Sequence, residues 1–241
     1  MLSGDGNNKF ALPLLSWIIN SNTSHIQKLP PHRRIGPAIG TMHQFHLLTA
    51  PIKREKIFKE AKDKYGTTFC FHGSRVQYWH AILRSGILNM SGTKGQLNGA
   101  AYGPGVYLSP YAGTSIGYSG GGGSGVMYRP AADRAAAASG AFSGGSDGSK
   151  DVKDRFLKSS EMIVMALCEV VKSPALKMHN QSVWTHTEHD HVVTRMLFIF
   201  EDQASASKVT GNTTTPEFLE EVYHALGIQP PPGGLGKMGT P

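Results

Sequence analysis

The sequence predicts an α+β fold with largely antiparallel sheets, on two observations. Apolar runs typical of strands mix with amphipathic helical patterns, without the regular β–α–β alternation that a parallel sheet requires. The chain has 241 residues, 39% of them hydrophobic, which is enough to bury one sizeable core. We therefore expect one principal domain.

The first part of the chain predicts two helices joined by a connector. The apolar run FALPLLSWII indicates a helix over about 12–20 that packs against the rest of the protein. Paired prolines in KLPPHRRIGP predict an extended, basic connector with no helix. Further on, Ile57, Phe58 and Ala61 fall on one helical stripe within 52–64, and Gly66 ends that helix.

A strand and a helix follow directly. TTFCF at 67–71 mixes β-branched and aromatic residues as a buried strand does. Ser74 is a candidate N-cap for a helix over RVQYWHAILRS, with Val76 and Trp79 facing inward and Gly86 just after its last turn.

The middle of the chain is loop-rich. A polar loop at 89–105 leads into a short strand at 106–109, after which small residues return. Residues 119–150 are rich in Gly, Ser and Ala, and this composition predicts a flexible surface insertion.

The last part of the chain predicts strands and one final helix. Strand-like runs lie at 161–171, 183–187 and 192–201. The final helix is expected from Pro216 to Leu226, with Thr215 as N-cap and Gly227 just beyond the end.

Charge and cysteine content restrict the partners and the compartment. The net charge of +7 favours anionic partners, but the densest basic stretch, at 53–64, interleaves acidic residues at helical spacing. A nucleic-acid partner is therefore not supported, although the charge permits one. Cys70 and Cys168 lie in apolar runs, which predicts buried thiols without a disulfide. No apolar run reaches the about 20 residues of a membrane span, and we expect an intracellular protein, cytoplasmic or nuclear.

Six residues have the chemistry to hold a planar amide such as nicotinamide. A glycine backbone permits close approach, a serine hydroxyl pairs with a carboxamide, and tyrosine rings stack on a heteroaromatic face. A histidine adds a donor for a ribose hydroxyl. The six are His72, Gly73, Ser74, Tyr107, Ser115 and Tyr118. Each of these residues, taken singly, is more often structural. The prediction therefore depends on all six occurring in this order along the chain.

Several motifs closely resemble the catalytic domain of the poly(ADP-ribose) polymerase (PARP) family, most of all the branch of members six and eight and more distantly member sixteen. They are FHGS, WHAILRSGI, GAAYGPGVYLSP and SIGYS. The resemblance extends back through SWIINSNTSHIQKLP and resumes at VMALCEVV and HDHVVTRMLFIFED, covering about 160 residues.

The resemblance implies an ADP-ribosyltransferase fold, in which two mostly antiparallel sheets with flanking helices enclose a cleft for NAD as co-substrate. It divides the chain into a helical lead-in at 1–66, a catalytic domain at 67–205 and a C-terminal helix and tail at 206–241. The loop at 89–102 would close over NAD, with Lys94 either near the pyrophosphate or in solvent.

By the same resemblance, His72 would contact the adenosine ribose, and the Gly73 backbone and Ser115 hydroxyl would hold the nicotinamide carboxamide. Tyr107 takes the second position of the family's His-Tyr-Glu signature, and the Tyr118 ring would stack on nicotinamide. Ser74 is expected to line the same site.

The third signature position falls on Met196, which the resemblance places facing the cleft. A one-residue slip offers Arg195 or Leu197, so no alignment supplies a carboxylate there. Glutamate would stabilise the developing cation and activate an incoming hydroxyl, and methionine does neither. We therefore expect single ADP-ribose transfer to a protein side chain with release of nicotinamide. The alternatives are an inactive NAD- or ADP-ribose-binding pseudoenzyme, a docking module, and modification of RNA ends.

The run WTHTEHDH at 184–191 looks like a metal cluster. His189 and His191 alternate as two zinc ligands could, but a structural zinc site needs four ligands and both cysteines lie elsewhere. We expect no metal and a polar turn that enters the last strand.

Overall fold

The protein is described by a computed structural model covering residues 11–21, 24–93, 101–120 and 162–231. Lys94 and most of the expected insertion lie outside the described residues. The helices are α1 (Ala11–Ser21), α2 (Ile52–Tyr65), α3 (Trp79–Ser85), α4 (Ala112–Tyr118), α5 (Gln203–Ala206) and α6 (Pro216–Leu226). The strands are β1 (Ile26–Lys28), β2 (His43–Leu47), β3 (Thr67–Gly73), β4 (Val106–Leu108), β5 (Ile163–Val171), β6 (Leu176–Met178), β7 (Trp184–His186) and β8 (Val192–Phe200).

The described strands form two antiparallel sheets, which confirms the predicted α+β class. Sheet A has the order β1-β2-β8-β5-β3, and sheet B has the order β4-β7-β6. An isolated bridge between Phe71 and Ser109 joins the edge of sheet A to the end of β4. The two sheets therefore meet beside the C-terminal end of β3.

Sheet A buries both of its faces. On the helix face, Phe71, Leu167 and Met196 belong to one apolar cluster with Phe218 of α6. On the sheet-B face, residues such as Cys70, Ala166 and Leu197 pack with residues of β4 and β7. This two-sided burial explains why β5 and β8 are almost continuously apolar, instead of alternating.

Several predicted elements are confirmed. Helix α2 ends at Gly66, whose φ is 68°, and it buries Phe58 and Ala61. Both cysteines are buried and free. Helix α6 has Pro216 in its first turn and ends at Gly227 in the left-handed conformation.

The start of α3 differs from the prediction. A single 3-10 turn at Val76–Tyr78 comes first, and α3 begins at Trp79 without a side-chain cap. Ser74 does not cap the helix, because it lies before the 3-10 turn, and its carbonyl accepts a hydrogen bond from the Trp79 indole at 2.9 Å. Val76, expected to face inward, is 40% exposed.

Helix α1 forms where it was predicted but is not packed into the core. Its large apolar side chains are exposed: Leu12, Leu14, Leu15, Trp17, Ile18 and Ile19. Trp17 contacts α3, where it lies 5.4 Å from the His80 ring and beneath the Arg84 guanidinium. No helix within the described residues is long and apolar enough to cross a membrane.

Several short elements were not predicted: β1, β2, β6, α4, α5 and a 3-10 turn in the connector, where an extended chain was expected. The prolines of the connector permit a 3-10 turn at Pro31–Arg33, because proline is tolerated at the first helical position. Strands β1 and β2 are short and pair with each other, and β2 also pairs with β8, a strand far away in sequence. Helix α4 contains two glycines and has little intrinsic helix propensity.

Candidate active site

His72 lies on the sheet-B face of sheet A, next to the junction of the two sheets. Its Nδ1 is 2.9 Å from the carbonyl oxygen of Tyr107, and its ring meets the Trp79 ring edge-on at 6.3 Å. Because a carbonyl only accepts, Nδ1 carries the proton and Nε2 of the neutral ring is an acceptor. Burial lowers the pKa of His72, although the bond to Tyr107 opposes that shift. The ring is therefore a neutral acceptor toward a ligand, where the sequence had suggested a donor.

Gly73 is in direct contact with the backbone of Ser115. A Cβ on Gly73 would lie 1.8 Å from the Ser115 carbonyl oxygen and 2.8 Å from Ser119 Oγ. Only glycine fits, since a Cβ does not approach other heavy atoms so closely. The end of β3 is thus pressed against α4.

Helix α4 presents Ser115 and Tyr118 on neighbouring turns. Ala112 and Ile116 anchor the helix in the cluster on the helix face. Ser115 is buried, and its hydroxyl makes no hydrogen bond to another described residue. Tyr118 is 47% exposed. A serine hydroxyl without a hydrogen-bond partner among the described residues, one helical turn from an exposed ring, can receive a planar amide.

Tyr107 is held at its backbone and at its hydroxyl. Its neighbours Val106 and Leu108 point into the cluster between the sheets, so its ring points to the other side of β4. The hydroxyl accepts from the Tyr102 N–H at 2.9 Å and donates to the Gly103 carbonyl at 2.9 Å. The structure therefore joins Tyr107 to His72 through its carbonyl, while the hydroxyl is committed to the preceding loop.

Met196 does not share the face of His72, and its expected cleft-facing position is wrong in this structure. Cross-strand partners place Phe71, Leu167 and Met196 in one row on the helix face, where Met196 is fully buried. The adjacent row contains His72, Ala166 and Leu197 on the sheet-B face. Leu197 thus occupies the position that the sequence assigned to Met196. Both side chains are apolar, so no carboxylate stands at either position.

A β-bulge in β8 explains why Leu197, and not Met196, lies on the same face as His72. Met196 pairs with Leu167 but Thr194 pairs with Cys168, which leaves Arg195 as an extra, unpaired residue of β8. Counting by twos from Val192 puts Met196 on the sheet-B face, and the extra residue moves it to the other face.

The bulge is fixed by ion pairs on the helix face. Arg195 donates from Nε to Glu169 at 2.9 Å and from Nη1 to Glu55 at 2.6 Å. Lys62 also pairs with Glu169, at 2.7 Å. Burial alone would raise the pKa of Glu169, but Arg195 and Lys62 hold it below its ordinary value.

The histidine-rich turn is a structural network. His186 is fully buried, its Nε2 lies 3.2 Å from the Val171 carbonyl, and its Nδ1 accepts from the Glu188 N–H. Asp190 pairs with Arg54 at 2.9 Å, and His191 lies 3.1 Å from the Ser173 hydroxyl. Among the described residues, no three His, Cys, Asp or Glu side chains come together as metal ligands.

Sequence reasoning missed Tyr102, and it considered Leu197 only as a one-residue slip from Met196. A charged residue inside an apolar strand, Arg195, was the available signal for a bulge and hence for Leu197. Tyr102 could be found only from the fold, since it reaches the site through the Tyr107 hydroxyl.

These features define an ADP-ribosyltransferase type of domain: paired antiparallel sheets, a histidine–glycine strand end and a serine–tyrosine helix. Residues 49–195 match the profile of the family described as poly(ADP-ribose) polymerase catalytic domain, and the chain belongs to that family. It is similar to "Protein mono-ADP-ribosyltransferase PARP8" of Mus musculus, with 39% identity over 229 residues. The protein of the same name from Homo sapiens is also 39% identical over 229 residues. Each match covers 93% of this chain and 26% of the relative, so the chain spans about a quarter of the length of these relatives.

Proposed function

We propose that this chain is an NAD-dependent mono-ADP-ribosyltransferase that moves one ADP-ribose to a protein side chain and releases nicotinamide. The observation that carries the proposal is the contact of Gly73 with the Ser115 backbone, which places the end of β3 against the helix that carries the Ser115 hydroxyl and the exposed Tyr118 ring. The relatives are named as mono-ADP-ribosyltransferases, which supports the same activity.

The residues present fit NAD. The Gly73 backbone and the Ser115 hydroxyl would bind the carboxamide, and Tyr118 would stack on the pyridine ring. The neutral Nε2 of His72 would accept a hydrogen bond from a ribose hydroxyl. Tyr107 fixes the His72 ring with its carbonyl, and Ser74 fixes Trp79 against that ring.

The reaction needs little acid–base help from the protein. The bond between the ribose C1′ and the pyridinium nitrogen breaks, and its electron pair stays with nicotinamide, which leaves as a neutral molecule. The acceptor atom forms a bond to C1′ and, if it carries a proton, releases it to solvent. Positioning and amide hydrogen bonds supply most of the rate enhancement when no general acid is required.

The absence of a carboxylate at Leu197 and Met196 favours single transfer. Extending a chain requires an incoming ribose hydroxyl to be activated, and neither side chain can do that. Loss of such an electrostatic group costs on the order of 100- to 1,000-fold in rate. A side chain that is already nucleophilic, such as a carboxylate, remains an adequate acceptor.

A pseudoenzyme that binds NAD without turnover is the second candidate. It is favoured by the same apolar row, in which Leu197 and Ala166 lie beside His72.

One experiment separates the two candidates. The protein is incubated with NAD, and its intact mass and the released nicotinamide are measured. We expect a single ADP-ribose adduct on the protein or an added acceptor, and Tyr107→Ala abolishes it. Long polymers, or no binding of NAD at all, would contradict the proposal, and tight binding without adduct or nicotinamide assigns the pseudoenzyme.

Nicotinamide affinity tests the carboxamide contact directly. Ser115→Ala removes the proposed partner of the carboxamide, so we expect about 3- to 10-fold weaker binding of nicotinamide by calorimetry. Ser119→Ala is the matched control, because its hydroxyl only donates to the Ser115 carbonyl at 3.3 Å. Equal nicotinamide affinities of the two variants would show that the Ser115 hydroxyl does not bind the carboxamide.

A further inference from the structure

Tyr102 connects the loop before β4 to the outer hairpin of sheet B. Its hydroxyl accepts a hydrogen bond from Asn180 Nδ2 at 3.1 Å, and its ring lies 5.0 Å from the His179 ring at an interplanar angle of 38°. The ring is 42% exposed, so it does not belong to the core and its position depends on these two contacts.

The hairpin side of this connection is well fixed. Asn180 Oδ1 accepts from the N–H groups of Ser182 and Val183, both at 2.8 Å, which closes the turn between β6 and β7. His179 Nε2 lies 2.8 Å from the Thr185 hydroxyl, and Thr185 is the cross-strand partner of Tyr107. The turn is therefore anchored to the strand that pairs with β4.

The other side of the connection leads to the active site. The Tyr102 N–H donates to the Tyr107 hydroxyl, and the Tyr107 carbonyl accepts from His72. A continuous series of contacts thus runs from Asn180 through Tyr102 and Tyr107 to His72. A displacement of Tyr102 must move the Tyr107 hydroxyl or break one of these bonds.

We propose that Tyr102 is a positioning residue for the transfer reaction, through which the β6–β7 turn holds Tyr107 and His72 in the geometry that binds NAD. This inference rests on the proposed function. Tyr102 makes no contact of its own with the reacting atoms in the series described, so it acts on NAD binding and not on bond cleavage.

The test compares two tyrosine-to-phenylalanine variants. Tyr102→Phe removes the phenol–amide bond to Asn180 and leaves the backbone and the ring in place. Tyr78→Phe is the matched control, since it removes a phenol–amide bond of the same kind, from Gln77 at 3.3 Å, on the surface. Asn180→Asp is the conservative variant, because its carboxylate still closes the turn and accepts a hydrogen bond from the Tyr102 hydroxyl.

We expect Tyr102→Phe to raise the KM for NAD about 3- to 10-fold with kcat and the urea midpoint unchanged. Hydrogen exchange of the amide at position 102 should become faster, because its acceptor is the Tyr107 hydroxyl. Tyr78→Phe and Asn180→Asp should behave like the wild type in both measurements.

Two results would overturn the inference. One is unchanged KM and unchanged exchange in Tyr102→Phe, and the other is an equal fall of kcat and stability, which assigns a structural role only. If the wild type neither binds nor consumes NAD, the proposed function fails, and the exchange rate still decides whether Tyr102 positions the Tyr107 hydroxyl.

Discussion

At the scale of single residues, Gly73 is the position where the fold and the proposed ligand constrain each other most. Gly73→Ala places a Cβ 1.8 Å from the Ser115 carbonyl oxygen, which is backbone and cannot move aside without shifting α4. We expect nicotinamide binding to be lost and the free energy of unfolding to fall by about 2–4 kcal/mol. Calorimetric titration and urea unfolding measure both effects.

The control for this substitution lies on the same helix. Gly117 has no heavy atom within 4 Å of its ideal Cβ, so Gly117→Ala adds a methyl group to open space. Alanine is the better helix former by about 1 kcal/mol, and we expect equal or higher stability with nicotinamide binding retained. Equal behaviour of the two alanine variants would contradict the contact between Gly73 and α4.

The face occupied by Met196 can be tested by introducing a charge. Met196→Glu would bury a carboxylate in an apolar cluster without a partner, so we expect a loss of at least about 3 kcal/mol in urea unfolding. Met196→Leu conserves volume and should cost less than about 1.5 kcal/mol. A Met196→Glu protein as stable as the wild type would show that this side chain faces a solvent-filled cleft.

Residue types and their order predict the candidate site, and two contacts in the structure agree with that grouping. His72, Gly73, Ser115 and Tyr118 carry the required groups, and the structure brings Gly73 to Ser115 and His72 to Tyr107. The tautomer of His72 could not be anticipated, because it follows from a carbonyl 35 residues away in sequence.

At the scale of elements, Arg54 joins α2 to the end of α3 and to the histidine-rich turn. Its guanidinium donates to the carbonyls of Ser85, Ile87 and His189 and to the Asp190 carboxylate. These four acceptors require a planar group with donors in several directions. The single ammonium group of lysine cannot replace it. We expect Arg54→Lys to cost about 3 kcal/mol or more in urea unfolding, because buried carbonyls lose their donors.

A substitution at Gly86, just after α3, tests the same contact between Arg54 and the end of α3. Its φ is 78°, and a Cβ there would lie 1.5 Å from Arg54 Nη1. Gly92 has a similar φ of 76°, but no heavy atom of the described residues lies within 4 Å of its ideal Cβ. We therefore expect Gly92→Ala to cost about 1–2 kcal/mol from the backbone alone, and Gly86→Ala to cost clearly more. Equal losses in urea unfolding would show that Arg54 does not occupy the space beside Gly86.

Elements with strong local signals were predictable, and those that depend on distant partners were not. Helix α2 has an apolar stripe and a terminal glycine, and β3 has β-branched and aromatic residues. Strands β1 and β2 are short and exist because β8 provides an edge for them. Helix α4 has weak propensity and is held by the burial of Ala112 and Ile116.

At the scale of the whole molecule, buried histidines make stability depend on pH. Burial, then the neighbouring His191, lowers the pKa of His186 to about 4. Between pH 6.5 and 4, His186 binds a proton in the unfolded chain but stays neutral in the folded chain. The free energy of unfolding therefore decreases as the pH falls. His186 alone accounts for about 3 kcal/mol over that interval. The burial of His72 and His46, whose pKa values are also lowered, acts in the same direction.

Urea unfolding at pH 7 and pH 4.5 measures this dependence. We expect His186→Gln to be less stable than the wild type at pH 7, because it loses hydrogen bonds, but to lose less on acidification. His32→Gln, at an exposed histidine, serves as the control and should retain the wild-type dependence. An unchanged pH dependence in His186→Gln would show that this ring is not buried in its neutral form.

The class of fold was predictable at this scale, but the strand order was not. Antiparallel pairing follows from the irregular succession of strands and helices. The order β1-β2-β8-β5-β3 depends on pairings between the two ends of the chain, and local patterns do not encode these. The apolar character of β8 concealed its bulge, because a strand buried on both faces has no alternation to count.

Arg195, the extra residue without a cross-strand partner, determines which side chains of β8 face each side of sheet A. Deleting one residue at this point would turn Met196, Phe198 and Phe200 toward β4 and β7, and would send Leu197 and Ile199 under α6. The remaining side chains would be the same, yet Phe198 and Phe200 would enter the space of the smaller Leu197 and Ile199. Changes of side chain along β8 are therefore far easier to absorb than any change in its length.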